Sequence, residues 1–220
     1  MKRIDNPELD RIILNALAKR YKLLEKREGI HLSSLNYCLT KGYLDLKSPI
    51  EPTDRELLNF ATGYGLQEVM FPCEAKLYEQ DGITYRPDGT IQVNADDVQT
   101  LIEIKSTRSG MKRYVEGDLP ATWISYMKGG CYMRGVNTYD LGVIYLSERP
   151  SALIHSETVI FEDIEITDNW RWLCGRRDIY KEAIDTDTVP PPRTTAPAWL
   201  CDGCRYSLVC SGLDMIANKG

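Results

Sequence analysis

The feature that most constrains this chain is a set of four cysteines placed near its two ends. Cys201, Cys204 and Cys210 follow one another with the spacing C-x2-C-x5-C, whereas Cys38 stands alone far upstream. A C-x-x-C turn aims two thiolates at one metal ion, and a third thiolate arrives with the next turn of chain. If Cys38 occupies the fourth position, one metal site joins both ends of the chain around everything between them.

Composition places the chain among soluble globular proteins. The 220 residues suffice for one ample domain, with 43% hydrophobic and 27% charged residues. No apolar run is long enough to span a bilayer and no signal peptide is seen, so we expect a cytoplasmic protein without membrane contact. Thiols stay reduced there, which favours cysteines as ligands or core residues rather than as disulfides.

Charge argues against nucleic-acid binding through bulk electrostatics, because the net charge is −5. The segment 105–113 nevertheless carries four positive charges and no acid, so a local basic groove is compatible with the sequence. Arg171, Arg176 and Arg177 form a second basic group. For either group alone, a solvated surface is the simpler interpretation.

The chain divides into a helical part over 1–68, an α/β core over 69–185, and a proline-rich connector with the cysteine tail over 186–220. Periodicity and capping signals predict helices over 7–28, from Ser33 or Ser34 through Cys38, from the Thr53–Glu56 capping box, over 121–134 and over 168–184. Alternating apolar runs predict strands over 69–77, 83–85, 90–93, 98–105, 141–146 and 158–164.

One turn and one strand carry groups suited to metal chemistry. Asp88 lies in the turn Arg86-Pro-Asp-Gly89, and Glu103 and Lys105 lie on one face of the strand that follows. Two carboxylates beside an ammonium suit Mg²⁺ or Mn²⁺ and the hydrolysis of a phosphate ester. Pro-Asp-Gly is also a common turn sequence, and Glu-x-Lys occurs on exposed strands, so each half alone is weak. Leu101, Ile102 and Ile104 make the strand otherwise apolar, which favours a functional reason for the charged pair.

Asp88 with Glu103-x-Lys105, the three-cysteine tail and the upstream cysteine together resemble the PD-(D/E)xK nucleases of the RecB type. The chain is most similar to the CRISPR-associated Fe–S exonuclease family. The segments Ser33–Leu44, Val189–Arg193 and Gly142–Leu146 resemble further signatures of that family, in the same order. The resemblance implies a restriction-endonuclease-like core, with a mixed central sheet flanked by helices, and an iron–sulfur subdomain formed by both termini.

The resemblance also implies roles for individual residues. Asp88, Glu103 and the backbone carbonyl of Ile104 would hold Mg²⁺ or Mn²⁺, and Lys105 would be the catalytic lysine. Glu74, Gln67, Glu68, Lys128 and Tyr132 would be accessory residues. The family carries a histidine where Gln67 stands and a glutamine where Lys128 stands. Because an amide oxygen is a poorer Mn²⁺ ligand than imidazole, Glu68 would have to compensate for Gln67.

The cysteine spacing leaves two metals open. Structural zinc sites commonly use two C-x-x-C pairs, whereas one ligand here is solitary. Together with the resemblance, this favours a structural [4Fe–4S] cluster on Cys38, Cys201, Cys204 and Cys210.

The implied function is a metal-dependent DNA exonuclease acting on single-stranded ends, trimming DNA for capture as CRISPR spacers beside the integrase complex. A phage or repair nuclease, or a weakened DNA-binding scaffold subunit with a structural four-cysteine metal site, would carry the same residues. Cys73, Cys131 and Cys174 are expected in the core, and Trp123 is a candidate for stacking on bases.

Overall fold

The computed structural model describes residues 7–24, 29–71, 75–91, 100–190 and 198–217. The helices of this part of the chain are α1 (Pro7–Leu24), α2 (Leu32–Asn36), α3 (Leu39–Lys47), α4 (Asp54–Met70), α5 (Lys112–Val115), α6 (Ala121–Arg134), α7 (Asp163–Asp185), α8 (Ala198–Cys201) and α9 (Ser207–Ala217). Its strands are β1 (Ile30–His31), β2 (Tyr78–Gln80), β3 (Ile83–Tyr85), β4 (Gly89–Ile91), β5 (Thr100–Thr107), β6 (Thr138–Tyr145) and β7 (Leu153–Ile160).

The main sheet is mixed and has the strand order β4-β5-β6-β7. Strand β4 pairs with β5 antiparallel, β5 with β6 parallel, and β6 with β7 antiparallel. A smaller three-stranded sheet has the order β1-β3-β2. The parallel pair β5–β6 is joined by a crossover that contains α5 and α6, as parallel neighbours require. The protein is therefore a mixed α/β fold with a mixed central sheet.

The core lies where α6 packs on β5 and β6 of the main sheet, with α2 and α7 packed against α6. Two consecutive glycines of α6 permit this close packing. A Cβ on Gly129 would lie 2.5 Å from Leu32 Cδ1, and a Cβ on Gly130 would lie 2.6 Å from the Tyr85 hydroxyl. A larger side chain at Gly129 would push α6 away from α2, and one at Gly130 would push it away from Tyr85 and Tyr139.

Several predicted elements are confirmed. Helix α6 has the predicted bounds, and the predicted capping box begins α4, because Thr53 and Glu56 bond to each other's backbone N–H groups. The turn and strand around Asp88 also form as predicted, with β4 antiparallel to β5. Cys131 is buried in the core and Cys174 is half-buried, as expected of small apolar side chains, whereas Cys73 lies outside the described residues.

Other predicted elements are wrong. Helix α4 continues through Met70, so no strand begins at Val69, and the next strand among the described residues is β2 at Tyr78. The predicted strand over 158–164 ends at Ile160, because a capping box between Glu162 and Glu165 already begins α7. Cys38 is not inside a helix: it is the N-cap of α3, where its Sγ accepts the N–H of Lys41.

The C-terminal segment packs on the N-terminal helices through polar contacts. Arg205 bonds to the Ile50 carbonyl and the Tyr21 hydroxyl and pairs with Asp45 at 3.3 Å. The Tyr206 hydroxyl donates to Asp45 at 2.7 Å. The two ends of the chain therefore meet, as predicted, and side chains other than cysteines hold them together. Within the described ranges, no helix is long and apolar enough to cross a membrane.

Candidate active site

Three predicted residues meet where β4 begins beside β5. In the register of this pair, Gly89 lies opposite Ile102, so Asp88 stands at the next position, beside Glu103. The Asp88 carboxylate accepts the backbone N–H of Ile104 at 2.8 Å. Glu103 and Lys105 lie on the same face of β5, two residues apart, and form an ion pair. The local geometry of one turn and one strand thus gathers two carboxylates and one ammonium.

Burial shapes the electrostatics of this group. Glu103 is only 2% exposed, and its pKa is raised to about 7. Burial is the main cause, Asp88 adds to it, and Lys105 opposes it. Burial also opposes the charge of Lys105, but Glu103, with Tyr37 and Asp88, outweighs it and raises the lysine pKa above its ordinary value. Glu103 and Lys105 thus form an ion pair in which each residue shifts the pKa of the other, and Lys105 borders an open space.

That open space is a cleft of roughly 1250 Å³. One wall is the helix α4, and the other is the segment from the end of β5 to the start of α6. Several positive and aromatic side chains line the cleft together with Asp88 and Lys105: Arg55, Arg108, Arg113, Tyr114 and Trp123. The basic segment over 105–113 therefore contributes to a concave surface, as the basic-groove interpretation requires.

The second basic group does not form a groove. Arg176 is buried and donates to the backbone carbonyls of Leu35 and Tyr37, at the end of α2. Arg171 pairs with Asp168 on the surface of α7, and Arg177 pairs with its neighbour Asp178. These three arginines have structural or surface contacts of their own.

The accessory residues of α6 lie away from the cleft lining. Lys128 pairs with Glu165 of α7 at 2.8 Å, and the Tyr132 ring stacks on Trp170 at 4.6 Å between centroids. The tyrosine of α6 that meets the site is instead Tyr126, whose ring lies 5.4 Å from Lys105 Nζ. Sequence reasoning missed Tyr126. The sequence offered one indication of Tyr126: it lies six residues before Tyr132, so the two tyrosines are on different faces of the same helix.

The other accessory residues divide in a similar way. Gln67 lines the cleft from α4, in the same space as Asp88 and Lys105. Glu68, the next residue, pairs with Arg20 of α1 at 3.3 Å. Ile104 lines the cleft beside Lys105. Glu74 lies outside the described residues.

The donor set at Asp88 and Glu103 fits a hard divalent cation. Two neighbouring carboxylates repel each other when both are ionised, and a cation bound between them relieves this repulsion. The described residues hold no set of three His, Cys, Asp or Glu side chains placed to bind one metal ion. The remaining ligands of a cation here would therefore be water, backbone oxygen and substrate phosphate, which is common for Mg²⁺.

The four cysteines predicted to bind a [4Fe–4S] cluster are not arranged around one position in the described structure. Cys201, Cys204 and Cys210 are all partly exposed, Cys204 packs against the core, and Cys38 caps α3. Within the part of the chain that the structure describes, no three of these thiols converge on one metal position. The spacing brings the tail cysteines onto neighbouring turns, but the described geometry does not assemble a four-thiolate site.

Comparison with known proteins gives a fold but no family. No family model matches the chain, and no curated protein matches its sequence. Among solved structures, the chain superposes on the protein SSO0001 with a TM-score of 0.54, over 92% of this chain and 96% of that one, at 17% identity. The two proteins therefore share a fold along nearly their whole length.

Two further solved structures superpose more weakly. One is the alkaline exonuclease LHK-Exo of Laribacter hongkongensis, at 11% identity and a TM-score of 0.46, over 72% of this chain and 90% of that one. The other is a phage related exonuclease of Haemophilus somnus 129PT, at 10% identity and a TM-score of 0.44, over 72% and 96%.

Proposed function

We propose that this protein is a metal-dependent DNA exonuclease of the PD-(D/E)xK type that hydrolyses phosphodiester bonds at single-stranded ends. The observation that carries the proposal is that Asp88 and Lys105 line a cleft with basic walls, where Lys105 is paired with the buried Glu103. A buried carboxylate with a raised pKa beside an open cleft, as Glu103 has, is typical of catalytic sites.

The chemistry follows from what each group can do. Asp88 and Glu103 would hold Mg²⁺ or Mn²⁺, which polarises a phosphate oxygen and acidifies a bound water. Lys105 keeps its proton because its pKa is raised, so it acts as a fixed positive charge beside the phosphorus and not as a base. The N–H of Ile104 holds Asp88 in place, and the Tyr126 ring lies against the lysine ammonium.

The cleft lining favours a single strand of nucleic acid. Arginines on both walls (Arg55 on one, Arg108 and Arg113 on the other) can contact successive phosphates. The Tyr114 and Trp123 rings lie 5.4 Å apart on the same wall, and the bases of an unpaired strand can stack on such rings.

The test is a nuclease assay with Mn²⁺ on end-labelled single-stranded DNA. We expect Asp88→Ala and Lys105→Ala each to lower the cleavage rate at least about 100-fold, since each removes a group that acts on the reacting phosphate. Lys22→Ala is the matched control, because Lys22 pairs with Glu51 on the exposed surface. Wild-type protein that cuts no faster than Asp88→Ala would overturn the proposal.

A second candidate is a DNA-binding subunit that cuts weakly or not at all. The observation that favours it is Gln67, which lines the cleft. The exonuclease family that the sequence resembles has a histidine at this position. If this reading is right, wild-type protein binds single-stranded DNA without cutting it. Gln67→His would then raise cleavage in Mn²⁺, because imidazole is the better ligand.

The setting and the cluster rest on the resemblance. We propose a role in CRISPR adaptation, beside the integrase complex, with phage or repair nucleases as alternatives. Copurification with an integrase separates these settings. The [4Fe–4S] cluster is proposed from the cysteine spacing, without support from the described thiol positions. An iron and acid-labile sulfide assay on protein purified without air tests it, and a colourless, zinc-loaded preparation would replace it with a zinc site on the same four cysteines.

A further inference from the structure

Two buried tyrosines form a hydrogen-bonded chain that ends on Glu103. The Tyr85 and Tyr139 hydroxyls lie 2.5 Å apart, and the Tyr139 hydroxyl donates to Glu103 Oε2 across 3.4 Å. Both tyrosines have no solvent exposure. Lys105 bonds to the other oxygen, Oε1, so the carboxylate is held from two sides.

The direction of this chain follows from proton counting. A carboxylate that binds a metal ion is ionised and has no proton to donate, so the phenol must be the donor of the Tyr139–Glu103 contact. A phenol has one proton, and Tyr139 then has none left for its neighbour. Tyr85 must therefore donate to Tyr139, and the chain runs from Tyr85 through Tyr139 to Glu103.

The backbone places the chain with little freedom. Tyr85 comes from β3 of the small sheet, whereas Tyr139 and Glu103 come from the adjacent strands β6 and β5. A Cβ on Gly130 would lie 2.6 Å from the Tyr85 hydroxyl and 3.0 Å from Tyr139 Cε2, so only glycine leaves room for the pair. Hydroxyl groups this far inside an apolar core cost free energy unless they are bonded, so their presence calls for a reason beyond filling space.

We propose that Tyr139, supported by Tyr85, is a positioning residue that orients Glu103 to bind the divalent cation. The inference rests on the proposed function, because it assumes that Glu103 is a ligand. Lys105 on Oε1 and Tyr139 on Oε2 hold the Glu103 carboxylate in one orientation, and each oxygen keeps a lone pair free to bind a cation. Groups that hold a ligand in this way typically change metal affinity when they are removed.

The test is Mn²⁺ binding to the full chain, measured by isothermal titration calorimetry without DNA. Tyr139→Phe keeps the ring and removes only the hydroxyl. We expect its Mn²⁺ affinity to fall about tenfold, the lower end for such a group, because the 3.4 Å contact is long. Tyr145→Phe is the matched control: Tyr145 is a buried tyrosine on the same strand and the same sheet face.

The cleavage assay gives a second readout. Tyr139→Phe should raise the Mn²⁺ concentration needed for half-maximal cleavage by a similar factor and leave the KM for DNA unchanged. If Tyr139→Phe proves unstable, the double variant Tyr85→Phe, Tyr139→Phe removes both hydroxyls, so that no buried hydroxyl of the pair lacks a partner. It should show the same loss of Mn²⁺ affinity.

The outcomes separate the two levels of the proposal. If Tyr139→Phe binds Mn²⁺ as tightly as wild type and Tyr145→Phe do, the positioning role is wrong and the tyrosines only fill the core. If wild type does not bind Mn²⁺, or if Asp88→Asn binds it as tightly as wild type does, the proposed metal site is wrong, whatever the tyrosines do. A selective loss in Tyr139→Phe with an unchanged Tm supports the inference.

Discussion

Glu103 should release a proton when the site takes up a metal ion. In the metal-free protein its pKa is about 7, mainly because the carboxyl is buried. A bound divalent cation requires the ionised form, so the protein must lose whatever proton Glu103 carries. With this pKa, the proton released per Mn²⁺ is about 0.9 at pH 6, about 0.5 at pH 7 and about 0.1 at pH 8.

The same pKa has a consequence for stability. The folded protein binds the proton more tightly than the unfolded chain, whose carboxyl has the ordinary value of 4.5. The free energy of unfolding of the metal-free protein is therefore highest at low pH for this group and falls as pH rises from 4.5 through about 7. The contribution lost is roughly 3 kcal/mol, because each pKa unit corresponds to about 1.4 kcal/mol. Saturating Mn²⁺ should offset this loss.

Calorimetry in buffers of different ionisation enthalpy measures the released proton directly. Glu103→Gln is the matched variant, since it keeps the shape of the side chain and cannot titrate. We expect wild type to follow the fall with pH given above, and Glu103→Gln to release no proton and bind Mn²⁺ more weakly. Equal proton release by both proteins at pH 6, or none from wild type, would refute the assignment of the buried proton to Glu103.

Two further predictions concern the cleft and the tail. Trp123→Ala should raise the KM for single-stranded DNA about fivefold with kcat unchanged, since stacking on a half-buried ring contributes about 1 kcal/mol. Trp172→Ala is the control, because Trp172 lies outside the cleft, and it should leave KM unchanged. Equal effects of the two substitutions would show that Trp123 is not part of the DNA-binding surface. Arg205→Met should lower the free energy of unfolding by about 2–3 kcal/mol, because it removes the ion pair with Asp45 and the hydrogen bonds to the Ile50 carbonyl and the Tyr21 hydroxyl. Thermal unfolding should show a Tm about 4–10 °C lower. Arg171→Met is the control, because it breaks an exposed ion pair and should change the Tm little. An unchanged Tm in both variants would mean that the contacts of Arg205 do not hold the tail in place.

Local signals were enough to place Asp88, Glu103 and Lys105 next to one another. Strand alternation places Glu103 and Lys105 on one face, and the short connection places Asp88 beside them, without any information from the rest of the chain. Helix α6 also has its predicted bounds: Pro120 precedes its first residue, and Gly135, with a positive φ of 62°, ends it.

Contacts between distant segments decided what sequence reasoning missed. The face of α6 that meets the site depends on how the helix packs against α7 and the sheet, and this packing turns Lys128 and Tyr132 toward α7 and Tyr126 toward Lys105. The length of α4 was missed for a related reason: its last turn packs against the sheet, where Phe71 contacts Gly89.

By itself, then, the sequence determined the arrangement of the central group, because two carboxylates and a lysine within one turn and one strand are brought together by backbone geometry alone. Only the tertiary structure decided the surroundings. It buried Glu103 and so raised its pKa, placed Tyr139 and Tyr85 behind it, and set α4 across from the arginines to make a cleft. These properties depend on residues far apart in the chain, and their burial is a property of the packed core, which no local pattern of residues encodes.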